Sequence, residues 1–134
     1  MQESHVVTCF IENSGRILIV RRSDQVSTYQ QRWSGISGYI EPQHNDLEQA
    51  WEELGEEVGL TGQDVLLVKQ GEVLVIEDPD LDRRWFIHPF RFALEEAGKI
   101  RLDWENLEYK WVEPEEIKRY PTVPGLYTAW EKVK

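Results

Sequence analysis

Short runs of apolar and β-branched residues predict strands along much of the chain. Residues 5–11 and 17–21 form two such runs, and the four residues between them include Asn, Ser and Gly, which favour a turn. This pattern is typical of a β-hairpin. Residues 33–40 carry glycines between apolar residues, which predicts a broken strand or a strand-like turn. Further strands are expected at 65–76, 85–94, 100–104 and 109–112.

Prolines refine this pattern in the second half of the chain. Pro89 lies inside the 85–94 run and has no N–H to donate, which predicts an edge strand or a bulge there. Pro114 precedes a short helix predicted at 115–119, and a last helix is predicted after Pro124. Apolar residues at helical spacing predict one packed face on this last helix: Leu126, Ala129, Trp130 and Val133.

The clearest helical pattern covers residues 46–58. Asn45 is the expected N-cap with Glu48 as its return partner, and Gly59 stands where a left-handed C-cap belongs. One stripe of the helix is apolar at three- and four-residue spacing: Leu47, Ala50, Trp51, Leu54 and Val58. This stripe predicts the face that packs on the rest of the protein.

The order of these elements predicts the fold class. Strands and helices do not alternate regularly, which favours a mixed sheet with helices on its faces, an α/β (α+β) fold. The 134 residues contain no internal repeat and no low-complexity linker, so a single domain over 1–134 is expected. No apolar run approaches ~20 residues and no basic leader is present, which predicts a cytoplasmic protein without a membrane partner.

Composition and charge exclude some functions. The chain is 40% hydrophobic with 15 aromatic residues, which argues against intrinsic disorder. Lys and Arg total 15 against 25 Asp and Glu, giving a net charge of −10. A surface this acidic is not suited to the backbone of a nucleic-acid duplex. An anionic substrate would need local cationic help.

Acidic residues are concentrated where basic residues are absent. No Lys or Arg occurs at 34–67, yet Glu53, Glu56 and Glu57 stand at i, i+3 and i+4 and therefore share one helix face. Their repulsion would be relieved by a hard divalent cation such as Mg²⁺ or Mn²⁺, which prefers oxygen ligands. The alternative is a merely solvated acidic face.

Residues 38–60 resemble the Nudix box. That motif reads Gly, five residues, Glu, seven residues, Arg-Glu-aliphatic-any-Glu-Glu-any-Gly-aliphatic, and its 23-residue length is kept here. Two of the nine defining positions depart, with His44 in place of Glu and Glu52 in place of Arg. The other seven match: Gly38, Glu53, Leu54, Glu56, Glu57, Gly59 and Leu60.

The resemblance implies a Nudix-like α/β/α sandwich and a hydrolase that uses Mg²⁺ or Mn²⁺. Its substrate would be a small molecule in which a nucleoside diphosphate is linked to another group. By position, Glu53, Glu56 and Glu57 would be the catalytic and metal-ligand residues, with the Gly38 carbonyl as a further ligand. In some relatives the base lies in the loop before the last strand, where this chain offers Glu105 and Glu108; a solvated loop is the alternative there.

Other residues are candidates for binding the substrate. Arg21, Arg22 and Arg32 are the basic residues nearest the box and could contact phosphates, although each alone is more often a surface charge. Tyr29 could stack on a base, but an aromatic residue beside a strand is more often core. The sequence does not fix the oligomeric state, and a homodimer is one option.

The two departures from the box leave alternatives open. Glu52 cannot donate the hydrogen bonds with which the motif's Arg orients the neighbouring Glu53. His44 and Glu52 could form a reversed acid–base pair, or both could face solvent. If orientation is lost, the chain would instead be a nucleotide-binding or regulatory module with weak or no turnover.

Overall fold

Eight strands form one mixed sheet in the computed structural model, which describes all 134 residues. Helix α1 (Asp46–Val58) and the shorter α2 (Leu126–Glu131) pack on it, and short 3₁₀ helices occur at Pro79–Leu81, Ala97–Lys99 and Pro114–Arg119. The strands are β1 (Gln2–Asn13), β2 (Arg16–Arg22), β3 (Trp33–Ser34), β4 (Ile36–Tyr39), β5 (Val65–Gln70), β6 (Leu74–Asp78), β7 (Arg83–Leu94) and β8 (Asn106–Val112).

Strand β1 organises the sheet. It runs parallel to β7 along almost its whole length and antiparallel to β2 and β4. β8 extends the sheet beside β2, while β5 and β6 both pair with β7 on the other side. The short strand β4 therefore lies directly beside β1, at the place where the chain enters α1.

Alternating side chains of β1 build two cores, one on each face of the sheet. Val7 and Cys9 are fully buried in a cluster with Leu54 of α1. Phe10 points to the other face, where it packs edge-on against Trp130 of α2 at 5.5 Å between ring centroids. Because helices cover both faces, the predicted α/β/α sandwich with a mixed sheet is confirmed.

Helix α1 begins and ends at the residues predicted from the sequence. The Asn45 side chain accepts the Glu48 N–H, and the Glu48 side chain accepts the Asn45 N–H, which completes the capping box. Gly59 ends the helix in the left-handed region with φ of 72°. Both ends of α1 are therefore fixed by local chemistry.

Other local predictions are also confirmed. The hairpin forms between β1 and β2, and its turn places Ser14 and Gly15 at positive φ. Residues 33–40 form the expected broken strand, as β3 and β4. Pro114 opens a 3₁₀ turn, and the apolar face predicted for the last helix is buried. No helix of the chain combines the length and apolar character needed to cross a bilayer.

Three expectations for the second half of the chain are wrong. The run at 65–76 splits into β5 and β6, which pair with different parts of β7. Pro89 lies in the interior of the sheet, so the edge alternative is wrong, whereas the pairing of β5 with β7 does shift register a few residues away, at Leu67 and Lys69. The Pro89 carbonyl accepts the Gly71 N–H at the break between β5 and β6. Because the ladder is interrupted there, the N–H that proline lacks is not needed.

Residues 100–104 form a loop instead of a strand. The Arg101 N–H donates to the Val58 carbonyl at 3.1 Å, and the Asp103 N–H donates to the Glu57 carbonyl at 3.2 Å. These amides satisfy carbonyls at the end of α1 that have no partner within the helix. The loop therefore caps a helix rather than extending the sheet.

Candidate active site

A cavity of about 510 Å³ opens beside the C-terminal half of α1. Its apolar wall includes aromatic rings, and its acidic side is formed by α1 and the loop that precedes β8. Six of its lining residues matter most for the site chemistry: Arg22, Tyr29, Gly38, Glu53, Glu56 and Glu105. The cavity thus places an acidic edge next to an apolar wall.

Three carboxylates meet at the acidic edge. One oxygen from each of Glu53, Glu57 and Glu105 lies within 4.8 Å of the others. Glu53 and Glu57 are 6% and 3% exposed, whereas Glu105 is half-buried. Positions i and i+4 of α1 point inward together, and the loop before β8 supplies the third carboxylate.

Burial makes these carboxylates costly in the ionised state. It raises the pKa of Glu53 to about 7, although the hydrogen bond from Gln49 opposes the shift. Burial raises the pKa of Glu57 well above its ordinary range, and the neighbouring Glu105 carboxylate raises it further. Without a cation, these two carboxyls therefore keep their protons to a higher pH than exposed glutamates do.

The donor set of this cluster fits a hard divalent cation. The Asn106 amide donates to Oε1 of Glu57 at 3.0 Å, but no protein N–H reaches the buried Oε2 of Glu57, and the neighbouring side chain is the Glu53 carboxyl. An unpartnered buried carboxylate oxygen is destabilising unless a ligand satisfies it. Oxygen-only donors of this kind suit Mg²⁺ or Mn²⁺.

Glycine at position 38 lets β4 approach the cluster. A Cβ atom at this position would lie 2.7 Å from Oε1 of Glu53 and closer still to Oε2. The Glu53 carboxylate therefore packs directly on the Gly38 backbone, and any larger side chain would displace it.

Glu56 occupies a different environment from its two neighbours. It lines the cavity but is exposed, and it is not part of the close three-carboxylate cluster. Partial burial and the nearby Glu52 carboxylate raise its pKa. The three glutamates of the box thus separate into an inward pair and one residue at the cavity mouth, because i+3 lies farther round the helix than the inward face reaches.

Arg22 is the cationic side chain that lines the cavity. Its Nε donates to the Thr28 carbonyl at 3.0 Å, which holds the guanidinium at the cavity wall. Burial lowers the pKa of Arg22, and the carboxylates of Glu57 and Glu105 partly oppose this shift. Arg22 therefore faces the same space as the acidic cluster.

The structure does not bring Arg21, Arg32 or Glu108 to this cavity. Arg21 and Glu108 face each other across β2 and β8, and their side chains pair at 2.6 to 2.8 Å. Arg32 lines a separate cavity of about 440 Å³. Arg22, the next residue along β2, is not paired with Glu108, and its side chain reaches the cavity.

Tyr29 stands between the two cavities. Its hydroxyl donates to Asp78 at 2.6 Å and accepts the indole N–H of Trp85 at 2.9 Å. Burial and the Asp78 hydrogen bond raise the pKa of Tyr29 to about 12, so it stays a neutral donor. The ring is part of the wall, and its hydroxyl is already engaged.

The two altered box residues contact each other. Nδ1 of His44 lies 3.1 Å from Oε2 of Glu52, and both side chains are partly exposed. A hydrogen bond to Gln49 raises the pKa of His44, with the Glu52 carboxylate adding to the effect. Of the two arrangements considered from the sequence, the geometry is that of the reversed pair.

Three further residues at the site were not singled out by the sequence. Gln49 is 1% exposed and donates to Glu53, and its position four residues before Glu53 was the available signal. Asn106 reaches Glu57 from β8, which only the folded sheet reveals. Trp104 lines the cavity while 58% exposed, and a lone Trp in a loop gave no positional information.

Comparison with known proteins places this architecture among solved structures. A MutT protein from Methanosarcina mazei Go1 superposes with a TM-score of 0.81 at 23% identity, covering 97% of this chain and 91% of that one. An Ap4A hydrolase from C. elegans superposes at 0.77 with 16% identity, covering 98% and 94%. A dihydroneopterin triphosphate pyrophosphohydrolase from E. coli superposes at 0.75 with 18% identity, covering 98% and 96%.

At these identities the superpositions show a shared fold. The sequence itself matches the family model of the NUDIX domain over residues 2–131. That match spans the whole sheet, α1 and all but the last residues of the chain. The chain therefore belongs to the NUDIX family.

Proposed function

We propose that this chain is a Mg²⁺- or Mn²⁺-dependent pyrophosphohydrolase that acts on a nucleoside diphosphate linked to another group. The observation that carries the proposal is the cluster of buried Glu53 and Glu57 with half-buried Glu105 beside a cavity, in which no protein N–H reaches one buried carboxylate oxygen. A cluster of like charges with only a structural role would destabilise the fold, whereas a bound cation would neutralise the repulsion.

The residues would divide the work as follows. Glu53, Glu57 and Glu105, with the Gly38 carbonyl, would hold the cation, and Glu56 at the cavity mouth would add a further carboxylate. The cation, when bound, neutralises phosphoryl oxygens and makes water more acidic. Glu53 is the first candidate for accepting the proton of the attacking water, and Glu105 is the second. Glu108 is less suited to that role because it is paired with Arg21 away from the cavity.

The cavity would hold the rest of the substrate. Arg22 would contact the phosphates, since it is the cationic side chain at the wall. Tyr29 and its aromatic neighbours would contact a flat apolar group. The names of two similar structures include Ap4A and dihydroneopterin triphosphate, and both compounds belong in the substrate panel for this chain.

A panel of nucleoside triphosphates, nucleotide sugars, dinucleoside polyphosphates and pterin triphosphates, with Mg²⁺ or Mn²⁺, tests the proposal. We expect phosphate or nucleotide release with at least one substrate and none with EDTA. Glu57→Gln should abolish turnover, because it removes a charge while its amide oxygen can still accept from Asn106. Glu72→Gln, at an exposed residue outside the cavity, is the matched control.

The altered box supports a second candidate function. With Glu52 in place of an arginine, the chain could bind a nucleotide without turning it over. Binding can be measured by calorimetry on the same panel. If the protein binds a nucleotide but releases no phosphate or nucleotide with metal present, the result favours a binding module over an enzyme. Turnover that Glu57→Gln leaves intact would contradict the site assignment.

A further inference from the structure

Gln49 is buried among the residues that surround the carboxylate cluster, and every polar atom of its side chain has a partner. Its Oε1 accepts the Glu41 N–H at 3.0 Å and lies 2.8 Å from Nδ1 of His44. Its Nε2 lies 2.8 Å from Oε2 of Glu53. The side chain thus connects α1 with the segment that follows β4.

The partners determine which way the Gln49 amide points. A backbone N–H can only donate, so the atom facing Glu41 must be the amide oxygen. The NH₂ group is then the one that faces the Glu53 carboxylate, where it finds an acceptor. Since Oε1 can only accept, Nδ1 of His44 must carry a proton. The orientation of the amide is therefore fixed by chemistry on both sides.

His44 and Glu52 do not supply a donor to Glu53. They contact each other at 3.1 Å, and Glu52 lies 3.4 Å from the Gln49 amide nitrogen. Gln49 is the one side chain whose N–H group reaches Glu53. The orienting hydrogen bond in this chain thus comes from one helical turn earlier than the altered box position.

We propose that Gln49 is the positioning residue for Glu53, supplying the orienting donor that Glu52 cannot supply. The inference rests on the proposed function for its catalytic consequence. The carboxylate is held between the Gln49 amide on one side and the Gly38 backbone on the other. With one oxygen engaged by Gln49, rotation of the carboxylate away from the cluster would break a buried hydrogen bond.

The chemistry of the donor matters as well as its place. A neutral amide orients Glu53 without placing a positive charge beside the cluster, so it does not compete electrostatically with a divalent cation. His44 acts on Gln49 rather than on Glu53, since its proton satisfies the amide oxygen together with Glu41. The altered residues thus support the glutamine.

Gln49→Met tests this role because methionine has a similar length and shape but no amide. We expect Mn²⁺ affinity, measured by electron paramagnetic resonance, and kcat each to fall about 10- to 100-fold, with KM nearly unchanged. Gln63→Met, the same change at an exposed position outside the cavity, should alter neither. Wild-type Mn²⁺ affinity and kcat in folded Gln49→Met would overturn the proposal.

Rescue separates positioning from packing. Adding Glu52→Arg to Gln49→Met offers new N–H donors beside Glu53, so part of the lost Mn²⁺ affinity should return. If the methionine variant does not fold in metal-free melts, Gln49→Leu replaces it, since it removes the donor without adding a charge. Unchanged Mn²⁺ affinity in that variant would equally overturn the assignment.

A crystal structure of metal-free Gln49→Met gives a result that needs neither cation nor substrate. We expect Glu53 to leave its single conformation, and an unmoved carboxylate would overturn the positioning role. A wild-type protein that turns over no substrate would refute the proposed function, yet the Glu53 conformation would still decide the role of Gln49. The two failures are thus distinguishable.

Discussion

Two buried glutamates, Glu53 and Glu57, are the residues of this protein that most need a physical explanation. Glu53 and Glu57 are almost fully removed from solvent beside a third acidic residue, and no arginine or lysine pairs with either of them. A cluster of this kind destabilises a fold unless it is protonated or bound to a cation. These residues are therefore better explained by chemistry than by stability.

Protonation should control the stability of the metal-free protein. The folded-state pKa of Glu53 is about 7 against an ordinary value of 4.5, and the pKa of Glu57 is raised as well. The folded chain then binds more protons than the unfolded chain in this interval, so the free energy of unfolding falls as pH rises through it. Because the Glu53 and Glu57 carboxyls are neighbours, they titrate together and share this effect.

Urea unfolding in EDTA between about pH 5 and pH 8 measures this effect. The carboxyls whose pKa values are lowered, those of Asp64 and Glu115, act in the opposite direction but only below the interval. Glu57→Gln should flatten the pH dependence, because it removes one of the titrating groups. A stability that is constant or rises with pH would contradict the raised pKa values.

Sequence reasoning identified some of these residues and missed others for a physical reason. Helical spacing placed Glu53, Glu56 and Glu57 near one another, but spacing alone does not say which side chains turn inward. The partners of the inward pair come from distant segments: Glu105 and Asn106 lie about fifty residues along the chain. The loop before β8, whose amides bond to the end of α1, brings them together.

Helix α1 carries its carboxylates at an electrostatically unfavourable end. Glu56 and Glu57 lie in the last turn, which has no basic residue, and the helix dipole places partial negative charge there. The amides of Arg101 and Asp103 cap this end from outside the helix. The acidic last turn thus destabilises α1, and the capping box at its first turn stabilises it.

The contact between β4 and α1 gives a prediction at the scale of elements. In Gly38→Ala the new Cβ would overlap the Glu53 carboxylate, so either the carboxylate or the strand must move. We expect a loss of about 1–3 kcal/mol in the free energy of unfolding, typical of overpacking, together with weaker Mn²⁺ binding. Urea unfolding and Mn²⁺ titration measure the two effects.

A matched control is available in the same chain. Gly62→Ala adds a methyl group where no atom lies within 4 Å, so it should change neither measurement. Gly38→Ala combined with Glu53→Ala should regain stability, because the overlap with the carboxylate is removed. The double variant should not regain Mn²⁺ affinity, because the Glu53 ligand is removed as well. A Gly38→Ala protein with wild-type stability and Mn²⁺ affinity would refute the close approach.

Elements with local signals were predictable, and elements that depend on pairing were not. The boundaries of α1 follow from Asn45, Glu48 and Gly59, which act within one turn of the helix. The split of residues 65–76 depends on a partner strand, β7, that contains Pro89. The residue pattern at 100–104 predicts a strand, yet two of its N–H groups donate to carbonyls at the end of α1 instead of to a neighbouring strand.

The whole molecule is acidic, and three of its carboxylates meet at the site. The net charge is −10, and Arg22 is the cationic side chain lining the main cavity. Self-repulsion of this kind weakens a compact state. The site joins segments from β4, α1 and the loop before β8, so a cation there would connect distant parts of the chain.

Binding of a divalent cation should therefore stabilise the entire fold. A ligand that binds only the folded state adds about 2.7 kcal/mol when present at a hundredfold excess over its Kd. We expect Mn²⁺ or Mg²⁺ to raise Tm by several degrees, with Glu57→Gln losing most of the increase. NaCl at matched ionic strength separates binding from screening, because screening would act equally on the wild type and the variant. If NaCl reproduced the full increase in Tm, the effect would be general screening of the acidic surface, and the cation site would be refuted.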